Sequence, residues 1–171
     1  NKKEYVKMLI DVLCPYKAVF GISPEIEGIT ELLPLMTEQG YPAFITHTAA
    51  TVEETERAIK AGAVHATHFY DVFPYPGEKD PGVRSCGAVE AILASPETSV
   101  DFILDGEHVH PVAVKMALAC KGIDKVSLIT DANINAGLPP GSYKGQGGID
   151  VEVSYEGGPA RMGKNEKMPG S

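Results

Sequence analysis

Short apolar runs alternate with longer amphipathic stretches along most of the chain. Five runs of strand length, rich in β-branched and aromatic residues, fall at 18–22, 43–46, 64–67, 100–104 and 126–130. Between them, apolar residues recur at helical spacing over 29–38, 52–61, 88–94 and 112–120, and Gly40, Gly62 and Gly122 follow three of these stretches where a left-handed residue ends a helix. Thr51 and Glu54 form a capping box at the start of the second stretch, and Pro111 suits the first position of the last one. Pro34 is expected to kink or shorten the first. Ahead of them all, Tyr5, Met8, Leu9, Val12 and Leu13 share one face of a further amphipathic helix.

Strand–helix alternation implies right-handed parallel units, in an open doubly wound sheet or as part of an eight-stranded barrel that five strands cannot close. The texture changes near residue 137: nine of the chain's 18 glycines lie in 132–171, and 151–155 alternates like an antiparallel strand. The expected organisation is a parallel α/β domain over 1–136 and glycine-rich loops with a β-hairpin over 137–171.

Composition narrows the partners. The 171 residues are 43% apolar and 22% charged, and no apolar run approaches the roughly 18 residues of a membrane span. No secretory signal is expected at the amino-terminal end of this sequence, whose apolar stretch is broken by Lys7 and Asp11. A net charge of -8 leaves no basic stripe for nucleic acid, so a small molecule is the expected partner. Cys14, Cys86 and Cys120 lack CxxC spacing and read as reduced thiols, which points to the cytoplasm.

In parallel α/β structures, ligands bind at the carboxyl ends of the strands. Each expected strand delivers a protic group there: Glu25 after the first, His47 at the second, His68 at the third, Asp105 and His108 after the fourth, Asp131 at the fifth. Two imidazoles on neighbouring strand ends suit a borderline divalent cation such as zinc, which favours hydrolysis of an amide. Asp131 is placed to accept a proton from water and return it to a leaving amine. Bland readings stand beside these. His65 falls on the opposite face of its strand from His68, His110 can serve the following helix start, Glu25 can be a cap or a salt-bridge partner for the following loop, and Asp105 can be a turn residue.

At the same positions the sequence resembles the N-acetylglucosamine-6-phosphate deacetylase family of the amidohydrolase superfamily. The matching segments are ITHTAAT at 45–51, HATHFYD at 65–71, DGEHVHP at 105–111, and TDA at 130–132 followed by AGLP at 136–139. The resemblance implies a metal-dependent (β/α)8 barrel of which this chain holds about strands four to eight, as a piece of a longer protein. It makes His47 and His68 metal ligands, Asp131 the catalytic acid/base and His108 a substrate contact. It puts Asp71 and Val72 where the family has an Asn-Ala pair touching the sugar phosphate, and Lys79 where the family has an arginine, with Arg84 as a substitute. The family's third metal ligand lies in a motif earlier than residue 1, so Glu25 is not promoted to a ligand. Residues 168–171 resemble a further substrate-contacting loop. The implied activity is hydrolysis of N-acetylglucosamine 6-phosphate to glucosamine 6-phosphate and acetate by a homodimer, with zinc first among candidate metals and iron, cobalt and manganese behind it. The alternatives are another N-acyl or cyclic amide substrate, or a fragment with an assembly role.

Overall fold

The computed structural model describes residues 2–77 and 80–162. Its first part runs α1 (Lys2–Leu13), β1 (Phe20–Ile22), α2 (Ile29–Thr37), β2 (Ala43–Ile45), α3 (Val52–Lys60), β3 (Ala63–Ala66), α4 (Ala88–Ala94), β4 (Ser99–Ile103), α5 (Pro111–Lys121) and β5 (Val126–Ile129). The five strands form one parallel sheet in chain order, as successive right-handed βα units require. Each helix packs beside the next, α1 on α2 through α4 on α5, so they make one layer against the sheet. This is an arc of a (β/α) barrel wall, with the helices outside.

Between sheet and helices lie Leu33, Ile45, Phe69, Ile92, Val100 and Phe102, all fully buried. Each such side chain contributes roughly 1.5–3 kcal/mol. The capping box forms as expected: Glu54 N–H donates to Thr51 Oγ1 (3.2 Å), and the Glu54 carboxylate accepts from Thr51 N–H (2.9 Å). Lys121, at the end of α5, donates to the carbonyls of Ile92 and Ser95 and to Thr98 Oγ1, satisfying acceptors where α4 stops.

Three expectations need correction. In α1 the buried side is Val6, with Ile10 and Leu13 packed against the core, while Tyr5, Met8 and Val12 are exposed. Tertiary packing thus selected the weaker of two apolar stripes. Of the two effects expected of Pro34, shortening amounts to one residue, since α2 runs through it to Thr37. β1, β2 and β5 are also shorter than the apolar runs, because Val19, Thr46 and Thr130 lie beyond the paired ladder, whereas β3 and β4 keep the expected lengths but begin one residue earlier.

The glycine-rich tail carries β6 (Gly141–Lys144), β7 (Asp150–Val153) and β8 (Ala160–Met162), paired antiparallel in that order around Val151, Val153 and Ala160. The third strand, of three residues, was too short to show as alternation. No helix among the described residues is long and apolar enough to cross a membrane.

Candidate active site

The parallel sheet presents the ends of β2, β3, β4 and β5 along one rim, and the backbone there is unusual. Among the described residues, every non-glycine with positive φ sits at this rim: His47 (43°) after β2, His68 (36°), Tyr70 (76°) and Val72 (53°) after β3, and Asp131 (49°) after β5. Such conformations cost of order 1–3 kcal/mol each and persist where surrounding contacts hold them, typically at functional sites.

The contacts that hold them are visible. Ser23 Oγ donates to the carbonyls of both Thr46 and His47 (3.2 Å each), fixing the turn after β2. Glu25 accepts from Thr48 Oγ1 (2.5 Å) and Ala49 N–H (3.1 Å), so it braces the His47 loop through neutral donors, a role different from the cap or salt bridge expected of it. Thr48 N–H donates to the Val72 carbonyl (3.2 Å), tying this loop to the one after β3.

The structure brings His47 and His68 together, with ring centroids 4.5 Å apart. The Thr46 hydroxyl touches both, 3.2 Å from His47 Nδ1 and 2.7 Å from His68 Nε2. Two ring nitrogens that share one oxygen are close enough to converge on one ion. His68 Nδ1 faces the Asp71 carbonyl (3.3 Å), which can only accept, so Nδ1 carries the proton and Nε2 presents its lone pair toward Thr46. The donor set is therefore two imidazoles of the right chemistry for a divalent cation. Among the described residues no group of three or more His, Cys, Asp or Glu side chains is arranged to hold a metal. Asp131 follows β5, two strands along the rim from His68.

His108 lies in the loop between β4 and α5. Its side chain is 1% exposed, its Nδ1 donates to Asp105 (2.6 Å), and its Nε2 is buried without a hydrogen-bond partner. A buried, oriented imidazole with a vacant nitrogen is costly to the fold and fit to receive a polar ligand group. Asp105 also accepts from Glu107 N–H (2.9 Å) and His108 N–H (3.0 Å), making the tight turn that presents the ring. Beside it, a cleft of about 230 Å³ is lined by Asp105, Glu107, Thr130, Ala132, Tyr155 and Pro159, flanking Asp131. Glu107 closes one side of this cleft, accepting from Tyr155 Oη (2.7 Å) and Arg161 Nη2 (2.8 Å) across to the antiparallel sheet.

The remaining candidates are placed less centrally. Val72 is 49% exposed in the loop after Asp71. Lys79 and residues 168–171 lie outside the described residues. Arg84 donates to Tyr75 Oη (3.0 Å) and Glu90 (3.2 Å), and Glu90 holds its guanidinium above its ordinary pKa. His110 caps α5, accepting from Val112 N–H (3.2 Å).

Asp101 is the residue that reading the sequence missed. It lies within β4 and is 6% exposed, accepting from His65 Nε2 (2.9 Å), Thr67 Oγ1 (3.0 Å) and His68 N–H (2.5 Å). Burial alone pushes its carboxyl up, but the hydrogen bonds from His65, His68 and Thr67 outweigh this and hold it below the ordinary carboxylate value. The available signal was a lone carboxylate inside the apolar run 100–104, since a buried charge needs partners.

A parallel α/β wall that gathers imidazoles and a carboxylate at the carboxyl ends of its strands has the ground plan of the barrel hydrolases. Comparison with known proteins narrows that class. No family model matches the chain. It is 32% identical to the N-acetylgalactosamine-6-phosphate deacetylase of Escherichia coli O157:H7 over 84% of its own length and 36% of that protein's. Its fold matches a crystal structure of N-acetyl-D-glucosamine-6-phosphate deacetylase from Mycobacterium smegmatis with TM-score 0.86 and 27% identity, over 99% of this chain and 43% of that one. A mutant of that enzyme in complex with N-acetyl-D-glucosamine-6-phosphate matches with TM-score 0.77 and 30% identity, over 90% and 38%. Over most of its length, then, the chain is similar to the N-acetylhexosamine-6-phosphate deacetylases, and it spans about a third of the length of the curated relative.

Proposed function

We propose that this chain forms the metal-binding and proton-handling part of a deacetylase that cleaves the N-acetyl amide of an amino-sugar 6-phosphate, giving the free amine and acetate. One observation carries the reading: the rings of His47 and His68 meet 4.5 Å apart at adjacent strand ends, sharing the Thr46 hydroxyl. His47 and His68 would hold a divalent cation, zinc first, with iron, cobalt or manganese as substitutes. Bound there, the cation supplies Lewis-acid polarisation of the acetyl carbonyl and makes water more acidic.

The chain's own residues do the rest. Asp131 accepts the proton from the attacking water and delivers it to the amine nitrogen as the C–N bond breaks. His108, its tautomer set by Asp105, offers its vacant Nε2 to a sugar hydroxyl or amide group. Asp71 and Val72 line the sugar, and Lys79, with Arg84 as substitute, neutralises phosphate as a point charge. Residues 1–136 form the catalytic part, and 137–171 follow it in the chain as its glycine-rich segment. The whole protein works as a cytoplasmic homodimer, a location supported by three free thiols.

The test is acetate release from N-acetylglucosamine 6-phosphate, with metal content measured alongside. Asp131→Asn should lose at least about a thousandfold in kcat while keeping its metal, as expected when a general acid–base is removed. Turnover at the wild-type rate in Asp131→Asn refutes the assignment. A second reading, the galactosamine epimer, is favoured by the relative named for that sugar. The ratio of kcat/KM for the two epimers decides between them.

A further inference from the structure

Beneath the imidazole pair lies a buried polar cluster that the reaction does not use directly. The β3–β4 ladder pairs only His65 with Ser99 and Ala66 with Val100 and then ends, although Thr67 N–H still donates to the Ile45 carbonyl of β2 (3.1 Å). From that point Asp101 takes over the pairing. Its carbonyl accepts from Phe69 N–H (2.9 Å), and its carboxylate accepts from His68 N–H and Thr67 Oγ1, so three successive residues are gripped by one. The carboxylate is fixed in turn by His65 Nε2, whose other nitrogen meets Ser99 Oγ (2.7 Å) and whose ring packs on Phe44 at 4.4 Å.

We infer that Asp101 is the positioning residue of the metal site: by accepting the His68 amide it holds that residue at φ 36° and so aims the His68 ring at His47. Positive φ is uncommon for a non-glycine residue, and the backbone of His68 is held on both sides, its N–H donating to Asp101 and its carbonyl accepting from Asp71 N–H (3.0 Å). His65 and Ser99 hold the carboxylate in place, which gives His65 a use in the cluster.

The inference rests on His68 being a metal ligand, and the experiment separates the two claims. Zinc affinity is measured by competition with a chromophoric chelator for the wild-type protein, Asp101→Ala, Asp101→Asn, His47→Ala and His68→Ala. Asp101→Ala should weaken zinc about 10- to 100-fold, whereas Asp101→Asn should stay within about threefold of wild type. The asparagine oxygen can still accept the His68 amide, and its NH2 can donate to His65 Nε2 once His65 moves its proton to Nδ1 and donates to Ser99. Wild-type affinity in Asp101→Ala, or an Asp101→Asn loss equal to that of Asp101→Ala, overturns the positioning role. Wild-type affinity in both His47→Ala and His68→Ala overturns the metal site itself, whatever Asp101 does. Should Asp101→Ala fail to fold, amide hydrogen exchange in the wild-type protein decides. The His68 N–H should be protected at least about a hundredfold over a free loop, and exchange at the unprotected rate contradicts the inference.

Discussion

Replacing Glu25 by alanine removes the acceptor of two hydrogen bonds that brace the loop carrying His47. Thr48 is 1% exposed, so its hydroxyl, now 2.5 Å from the Glu25 carboxylate, would lose its acceptor away from water. That loss costs about 1–3 kcal/mol. The Ala49 N–H, 3.1 Å from the same carboxylate, lies in an exposed segment and rehydrates, adding about 0.5 kcal/mol at most. Thr48 Oγ1 also accepts from the buried Ala50 N–H (3.0 Å), so a reoriented hydroxyl disturbs a second turn. The sum is about 2 kcal/mol, or a fall in Tm of roughly 4–8 °C for a chain of this size. Urea unfolding followed by far-ultraviolet circular dichroism suits a chain without tryptophan. Glu25→Gln, which keeps one acceptor oxygen, should lose about half as much. Zinc stoichiometry should be unchanged, because in the proposed site Glu25 braces the loop and does not ligate the metal. A Glu25→Ala loss below about 0.5 kcal/mol, the size of an ordinary surface substitution, refutes the bracing role.

Three further outcomes follow from the same contacts. Thr51→Ala removes the hydroxyl half of the capping box on α3 and should cost about 1 kcal/mol in urea unfolding, whereas Thr51→Ser should restore most of it. Phe69→Ala empties a fully buried position among Tyr70, Phe73 and Phe102 and should cost about 3–5 kcal/mol; a loss below about 1 kcal/mol would mean that these rings do not pack as described. The Tyr155 phenol sits above its ordinary pKa because it donates to Glu107. Its contribution to stability is complete below about pH 10 and is lost as pH rises through the raised value. Phenolate absorbance, assigned by difference with Tyr155→Phe, should show the Tyr155 step moving down in Glu107→Gln, and an unmoved step would mean the bond is absent in solution.

How much of this the sequence disclosed depends on whether a feature is local. The five parallel strands and all five α-helices were legible because hydrophobic period, the Thr51–Glu54 box and the glycine stops are short-range signals. The rim residues were legible because a parallel α/β order places strand ends together, whatever the details of packing. The face of α1 was not, since two apolar stripes compete on that helix and only packing against α2 selects Val6 over Tyr5, Met8 and Val12. The Asp101 cluster was hidden for a related reason. Its partners His65, Thr67 and His68 lie more than 30 positions away in the chain, and meet it only through the register of His65 with Ser99. Glu107 likewise meets Tyr155 and Arg161 across a separation no periodicity reveals. Backbone strain leaves no mark in composition; among the described residues it falls at Tyr70 and Val72 as well as at His47, His68 and Asp131.

The most direct test of the account is anomalous diffraction at the zinc edge from crystals of the protein grown with zinc. The account predicts one strong peak between the rings of His47 and His68, within about 2.0–2.1 Å of a nitrogen of each. A map with no peak there, or with its peak at another cluster while both rings remain hydrogen-bonded to Thr46, would contradict it.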